Sequence, residues 1–243
     1  MARELFTLNT KLDRPALAAA FARDRRVQVR DVLSEAAARE VHQVLSRHTR
    51  WGVAWQAGDD GPHALKASEL RTTTAERQRA IAQNAYRSAA AGDYAFQFAR
   101  YPILEAYLGK WEEGGPHDIL LEHINAPDFL DFIREVTGIP EISKGDAQAT
   151  LFAPGHFLGR HIDSHVGEGW RVAYVMNFCL EQWSPDWGGY LNFYDEDGDV
   201  IAGYRPRFNA LNMFMVPCAH AVTFVPPFAP VGRFAITGWF RDR

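Results

Sequence analysis

From about Gln148 onward the chain consists of short apolar or aromatic runs separated by Gly, Pro and Asp. ATLFA, RVAYVMNFCL, YLNFY, VIAGY, LNMFMV, AVTFV and RFAITGWF follow one another almost to the last residue. Runs of this length bounded by turn formers are strands, and many in succession make an antiparallel sandwich or barrel. DEDG at 195–198 supplies a hairpin connection. The expected core is therefore a β-sandwich of the jelly-roll type over residues 148–243.

Residues 1–147 read differently. Asp13 with Pro15 starts a helix through ALAAAFAR. Ser34 starts SEAAAREVHQVLSRH, whose Ala37, Val41, Val44 and Leu45 recur at helical spacing. Thr74 precedes AERQRAIAQNAYRSAAA, and Asn125 or Asp128 opens PDFLDFIREVTG, which Gly138 ends. Strand-like runs lie between these helices at Arg26–Val29, Trp51–Trp55 and Tyr94–Phe98. There is no Pro/Ser/Gly linker and no repeat, so residues 1–147 are expected to be a helix-rich support packed on the barrel, with 1–243 forming one domain. A chain that is 47% hydrophobic and 23% charged can bury such a core.

The net charge of −4 gives no electrostatic reason to expect a nucleic-acid partner, although a local basic patch would not show in that figure. Cys179 and Cys218 are too few for a disulfide framework. MARELFTLNTKLDRP lacks the apolar run of a signal peptide, and no later stretch is long enough to span a bilayer. The expectations are a cytoplasmic location and no membrane partner; the oligomeric state is left open. No glycine pattern suits a nucleotide, and no nucleophile elbow supports a hydrolase.

GRHIDSH places His161 and Asp163 two residues apart, on one face of a strand. An imidazole and a carboxylate so placed can bind one metal side by side. A third ligand must come from another strand, and His220 in PCAHAVTF is well placed for it. Two His and one carboxylate leave open positions on iron, as oxygen chemistry requires. On the bland reading, His161 and Asp163 are a surface hydrogen-bonded pair and His220 is a satisfied half-buried histidine. His156 and His165 read as loop residues. Cys218 reads as packing, since a fourth, soft ligand would not suit oxygen activation.

The last run, VGRFAITGWFRDR, shifts the balance. Arg233 lies in a stretch apolar enough to be buried, and a buried Arg needs an anionic partner. The distal carboxylate of a 2-oxo acid would supply one through a bidentate pair. With period two, Arg233, Ala235, Thr237 and Trp239 share a face, which offers space, a hydroxyl and an aromatic wall. Taken alone, an Arg paired with a surface acid would be the simpler account.

The blocks FAPGHFLGRHID, RVAYVMNFCLEQW opening at Arg171, WGGYLNFY, PRFNALNMFMVP, His220 and RFAITGWF occur in this order over about residues 148–240. In this order and spacing the sequence resembles the 2-oxoglutarate/Fe(II) oxygenase superfamily, and within it the prolyl 4-hydroxylase-like branch, which includes the hypoxia-sensing and ribosomal-protein prolyl hydroxylases. The resemblance implies a double-stranded β-helix fold and a dioxygenase using Fe(II), 2-oxoglutarate and O2, with ascorbate as an accessory reductant. It implies His161, Asp163 and His220 as iron ligands and Arg233 as partner of the cosubstrate carboxylate. It puts Arg171 near the substrate entrance, and Thr237 and Trp239 against the iron pocket.

Two positions depart from the family pattern. Phe152 stands where a Tyr is usual nine residues before the first ligand, and Phe178 matches a second frequent Tyr. Those tyrosines donate hydrogen bonds to 2-oxoglutarate. Tyr174, on the same strand face as Phe178, is the expected replacement, with Tyr190 and Tyr204 behind it. Trp183 and Trp187 could wall a substrate groove, although packing is the commoner use of such aromatics. The expected reaction is hydroxylation of an unactivated C–H, of a prolyl residue in a protein or peptide, with succinate and CO2 as co-products. The alternatives are a hydroxylase of a free amino acid or small metabolite, and a cupin-like protein that holds metal without turnover.

Overall fold

The computed structural model describes residues 5–163, 165–179 and 182–243, without the side chains of His165 and Val166. Among these residues seven helices precede or interleave with thirteen strands. The helices are α1 (Arg14–Asp24), α2 (Glu35–Gln43), α3 (Ala67–Thr72), α4 (Ala75–Ala90), α5 (Ile103–Leu108), α6 (Pro116–Ile124) and α7 (Pro127–Thr137). In the first half the strands are β1 (Arg26–Arg30), β2 (Gly52–Ala57), β3 (Asp60–Leu65) and β4 (Ala95–Tyr101). They continue as β5 (Lys144–Gly145), β6 (Gln148–Phe152), β7 (Phe157–Ile162), β8 (Trp170–Asn177) and β9 (Leu191–Tyr194). The last are β10 (Val200–Tyr204), β11 (Ala210–Met215), β12 (Ala219–Val222) and β13 (Arg233–Arg241).

Local chemistry sets several of these boundaries. Asp13 accepts from the Ala16 N–H at 3.0 Å, and Pro15 stands in the first turn of α1. Ser34 caps α2 through the Ala37 N–H, and Thr74 caps α4 through the Arg77 N–H. Helix α7 buries Phe129, Leu130, Phe132, Ile133 and Val136 along one side and ends at Gly138 in the left-handed region, φ 70°. Neither Asn125 nor Asp128 caps α7. Ala126 holds that position, and Asn125 ends α6 instead. The DEDG segment joins β9 to β10, with the Asp195 N–H bonded to Asp199 O at 3.1 Å.

The strands pair in the order β1-β11-β8-β13-β6-β4-β7-β12-β9-β10, with β2 paired to β4 and to β3, and β5 to β13. This is a nearly closed, jelly-roll-like barrel. One wall is β1-β11-β8-β13-β6 and the other is β7-β12-β9-β10. β4 joins them, pairing with β6 at Ala99–Tyr101 and with β7 at Phe96–Gln97. The sheet therefore crosses the 147/148 boundary: β1 and β4, from the helix-rich half, complete it.

The first wall is buried on both sides. Val172, Tyr174, Met176, Ile236 and Phe240 turn outward into one core with α2, α6 and α7. Ala173, Val175 and Ala235 turn inward with Leu191, Phe193 and Phe214. Period-two alternation therefore separates a helix-packed face from a barrel interior, and the candidate site lies on the interior.

Candidate metal centre

Strands β7 and β12 are antiparallel, with His220 directly opposite His161. Opposed residues share a face, so the two rings meet with centroids 4.2 Å apart. Asp163, two residues past His161, falls on the same side. One ligand atom from each of His161, Asp163 and His220 lies within 4.8 Å of the others. His161 Nε2 is 3.5 Å from Asp163 Oδ1, and His220 Nε2 is 3.7 Å from Asp163 Oδ2.

The hydrogen bonds around this cluster fix its chemistry. His161 Nδ1 is 3.0 Å from Gly159 O and His220 Nδ1 is 2.9 Å from Cys218 O. A carbonyl can only accept, so each Nδ1 carries a proton, and each Nε2 is turned toward Asp163. The Trp239 indole N–H donates to Asp163 Oδ2 at 2.8 Å. Burial works to raise the Asp163 carboxyl, but His161, His220 and Trp239 together hold it below the usual range. Burial and the neighbouring His161 lower the His220 pKa to about 4. Two imidazoles and one carboxylate, oriented from behind and facing one another, fit a borderline divalent ion such as Fe(II).

The cluster opens into a cavity of about 430 Å³, whose lining includes Phe96, Phe98, Phe152, Phe214 and Val222. Arg233, Thr237 and Trp239 line it from β13. Arg233 is only 1% exposed. Its Nε donates to Asn177 Oδ1 at 2.9 Å, and its guanidinium carbon is 5.5 Å from the Phe152 ring centroid. No carboxylate among the described residues pairs with it. Burial pulls its pKa down to about 10, so it stays cationic at neutral pH.

Several expectations need correction. Tyr174 borders the cavity, but its hydroxyl is spent on Asp146 O at 2.7 Å, and its ring stacks on Phe240 in the helix-side core with centroids 4.6 Å apart. Phe178 faces the same helix-side core, so neither occupies the place of a cosubstrate-binding tyrosine. The physical reason is parity: the interior residues of β8 are Ala173, Val175 and Asn177. Tyr190 and Tyr204 line a different cavity. Arg171 is ion-paired with Asp242 and is not among the residues lining the metal-side cavity. Trp183 and Trp187 pack edge to face on each other, also outside it.

Sequence reasoning missed Asn177 and Thr150. Both pair with Ala235, Thr150 from β6 and Asn177 from β8, so the three form one row across the interior face beside Arg233. Thr150 Oγ1 and Asn177 Nδ2 are shut off from solvent with no hydrogen-bond partner. Trp170 was missed as well; it lines the cavity and stacks on Trp239 with centroids 3.9 Å apart. The only signal in the sequence was the parity of these residues.

Residues 147–241 match the model of the 2OG-Fe(II) oxygenase superfamily. This segment is similar to a 2OG-Fe(II) oxygenase core. The match over this segment goes with oxidoreductase chemistry that uses Fe(II), with 2-oxoglutarate and O2 as cosubstrates. The oxygenase fold recurs in a Pseudomonas putida prolyl-4-hydroxylase, with TM-score 0.54, 18% identity and 98% of each chain covered. A Burkholderia pseudomallei oxidoreductase of the 2OG-Fe(II) oxygenase family gives TM-score 0.59 at 11% identity, covering 98% of this chain and 94% of that one. A Trichoplax adhaerens prolyl hydroxylase, in complex with a hypoxia inducible factor peptide fragment, gives 0.52 at 17%, covering 94% and 89%. No curated protein matches the sequence. Among the described residues no helix is long and apolar enough to cross a membrane.

Proposed function

We propose that this oxygenase hydroxylates a prolyl residue in a protein or peptide, with His161, Asp163 and His220 holding Fe(II) and Arg233 holding the distal carboxylate of 2-oxoglutarate. The observation that carries this reading is the pairing, in one cavity, of a three-ligand cluster with a fully buried guanidinium that has no acid of its own. A cupin-like metal binder would have no use for such a cation.

Fe(II) held there would supply the chemistry by which O2 gives one oxygen to a C–H and the other to 2-oxoglutarate, which would become succinate and CO2. The rest is the work of this chain's residues. Trp239 keeps the Asp163 carboxylate turned to the ligand cluster. Asn177 aims Arg233 by accepting from its Nε. Thr150 Oγ1, unpartnered and on the cavity wall, is free to donate to an incoming carboxylate, and Thr237 offers a second hydroxyl further along β13. These short polar groups take over what tyrosines would do at Phe152 and Phe178. The phenyl rings of Phe96, Phe98, Phe152 and Phe214 exclude water, which strengthens the carboxylate–guanidinium pair.

The peptide assignment is supported by two fold neighbours that are named prolyl hydroxylases, one of them holding a peptide. Trp170, Trp239, Tyr94 and Pro62 give the cavity flat walls suited to a pyrrolidine ring. Anaerobic addition of Fe(II) and 2-oxoglutarate should produce a weak visible charge-transfer band that His161→Ala abolishes. Mass spectrometry of proline-containing peptides should then show one added oxygen per succinate formed. Hydroxylation of free amino acids alone would overturn the peptide assignment, and a wild-type protein without the band would overturn the cosubstrate assignment.

A further inference from the structure

A second cavity, of about 590 Å³, is lined by Arg26, Arg30, Arg205 and Arg207. It sits where β1 and β10, the two ends of the strand path, come together without pairing. Register explains why the arginines gather there. Arg26 and Arg30 lie opposite Phe214 and Ala210 on β11, on the barrel-interior side, and the Arg26 guanidinium carbon is 5.4 Å from the Phe193 ring centroid. Arg205 and Arg207 come from the segment that leaves β10.

The cluster is built rather than incidental. Arg207 Nε donates to Gln28 Oε1 at 3.0 Å, and Gln28 Nε2 donates to Asn212 Oδ1 at 2.9 Å. An Arg Nε–H can only donate, so this chain fixes the orientation of the Gln28 amide and, through it, Arg207. Arg205 Nε is sealed from solvent and has no hydrogen-bond partner. Among the described residues Asp24 is the one carboxylate in the lining, and Arg23 already holds both its oxygens, at 3.0 and 2.8 Å. Burial, Arg30 and Arg205 all pull the Arg207 pKa below its ordinary value, as expected of like charges held together. An unsatisfied donor among clustered cations that outnumber the nearby carboxylate calls for an acceptor that carries negative charge.

We propose that this seam between β1 and β10 binds a small, multiply charged oxyanion of the phosphate or polycarboxylate class. The site is separate from Arg233 and independent of the substrate assignment. The chain's overall charge of −4 conceals it.

Titration calorimetry of the full chain with inorganic pyrophosphate tests the proposal. The wild type should bind, with affinity falling as salt is raised. Arg205→Gln and Arg207→Gln should each weaken binding about tenfold or more, as loss of one charge-assisted hydrogen bond implies. Arg233→Gln should leave it unchanged. If Arg205→Gln does not fold, Arg207→Gln and the exposed Arg30→Gln answer the same question. No binding to the wild type, undiminished binding in the seam variants, or loss in Arg233→Gln would each overturn the site.

Discussion

At the scale of single residues, two side chains set the character of the metal side. The Trp239 indole N–H donates to Asp163 Oδ2, at 2.8 Å. Trp239→Phe keeps the stacking surface against Trp170 but removes that donor. Metal affinity should fall about ten- to hundredfold, as for other groups that orient a ligand from behind. Titration with Co(II) followed by its visible bands would measure this, with circular dichroism confirming an unchanged fold. Arg233 is the second. Arg233→Gln should weaken 2-oxoglutarate about a hundredfold, because a buried guanidinium–carboxylate pair is lost. Pyruvate, which lacks the distal carboxylate, should bind both forms of the metal-loaded protein alike. Equal losses for both ligands would mean that Arg233 acts on the metal and not on the carboxylate.

At the scale of elements, close contacts and buried histidines make the supports testable. A Cβ at Gly238 would lie 2.2 Å from Asp146 O, so β13 can follow its course only with glycine there. Gly238→Ala should destabilise the protein by about 3 kcal/mol, read from urea midpoints. His117, in the first turn of α6, sits 2.9 Å from Thr49 Oγ1 and stacks near Tyr101 with ring centroids 4.3 Å apart. Burial and His48 lower its pKa from 6.5 to about 4. The unfolded chain therefore takes up this proton first, and stability is lost as pH falls from about 6.5 to about 4. The loss amounts to about 3 kcal/mol, and His117→Gln should flatten that part of the pH profile. An unchanged profile would mean that His117 is not the group responsible. Most of these elements were legible beforehand. Asp13, Ser34 and Thr74 mark helix starts because their side chains satisfy exposed N–H groups locally. Helices α3, α5 and α6 were not foreseen. α3 and α5 are only six residues each, and their place is set by what they pack on.

At the scale of the whole molecule, the candidate ligands and Arg233 stand on opposite walls. His161 and His220 belong to β7 and β12, while Arg233 belongs to β13. A cosubstrate held by both would bridge the two walls and stabilise only the closed barrel. Metal and 2-oxoglutarate together should add about 2.7 kcal/mol at a ligand concentration one hundred times the dissociation constant. Thermal melts should show the rise, and hydrogen exchange should show slower opening of β12. Exchange unchanged in β12 would mean that the ligand does not bridge the walls.

The sequence by itself determined the barrel, the order of its strands along the chain and the placing of His161 and Asp163 on one face, while His220 joined them there only through Arg233 and the family resemblance. The first three follow from local signals: turn formers between short apolar runs, and a spacing of two that puts His161 and Asp163 on one side. It also marked Arg233 as a cation that an apolar strand would bury. Tertiary structure alone decided which face of β8 meets the cavity. From Val172 to Asn177 every residue of that strand is buried, so no alternation of apolar and polar residues reveals its inner side. The eye falls on the aromatics Tyr174 and Phe178, yet pairing with β13 turns them outward and brings Asn177 in. The same holds for the arginine seam, whose residues are far apart along the chain and meet only because the barrel stops short of closing between β1 and β10.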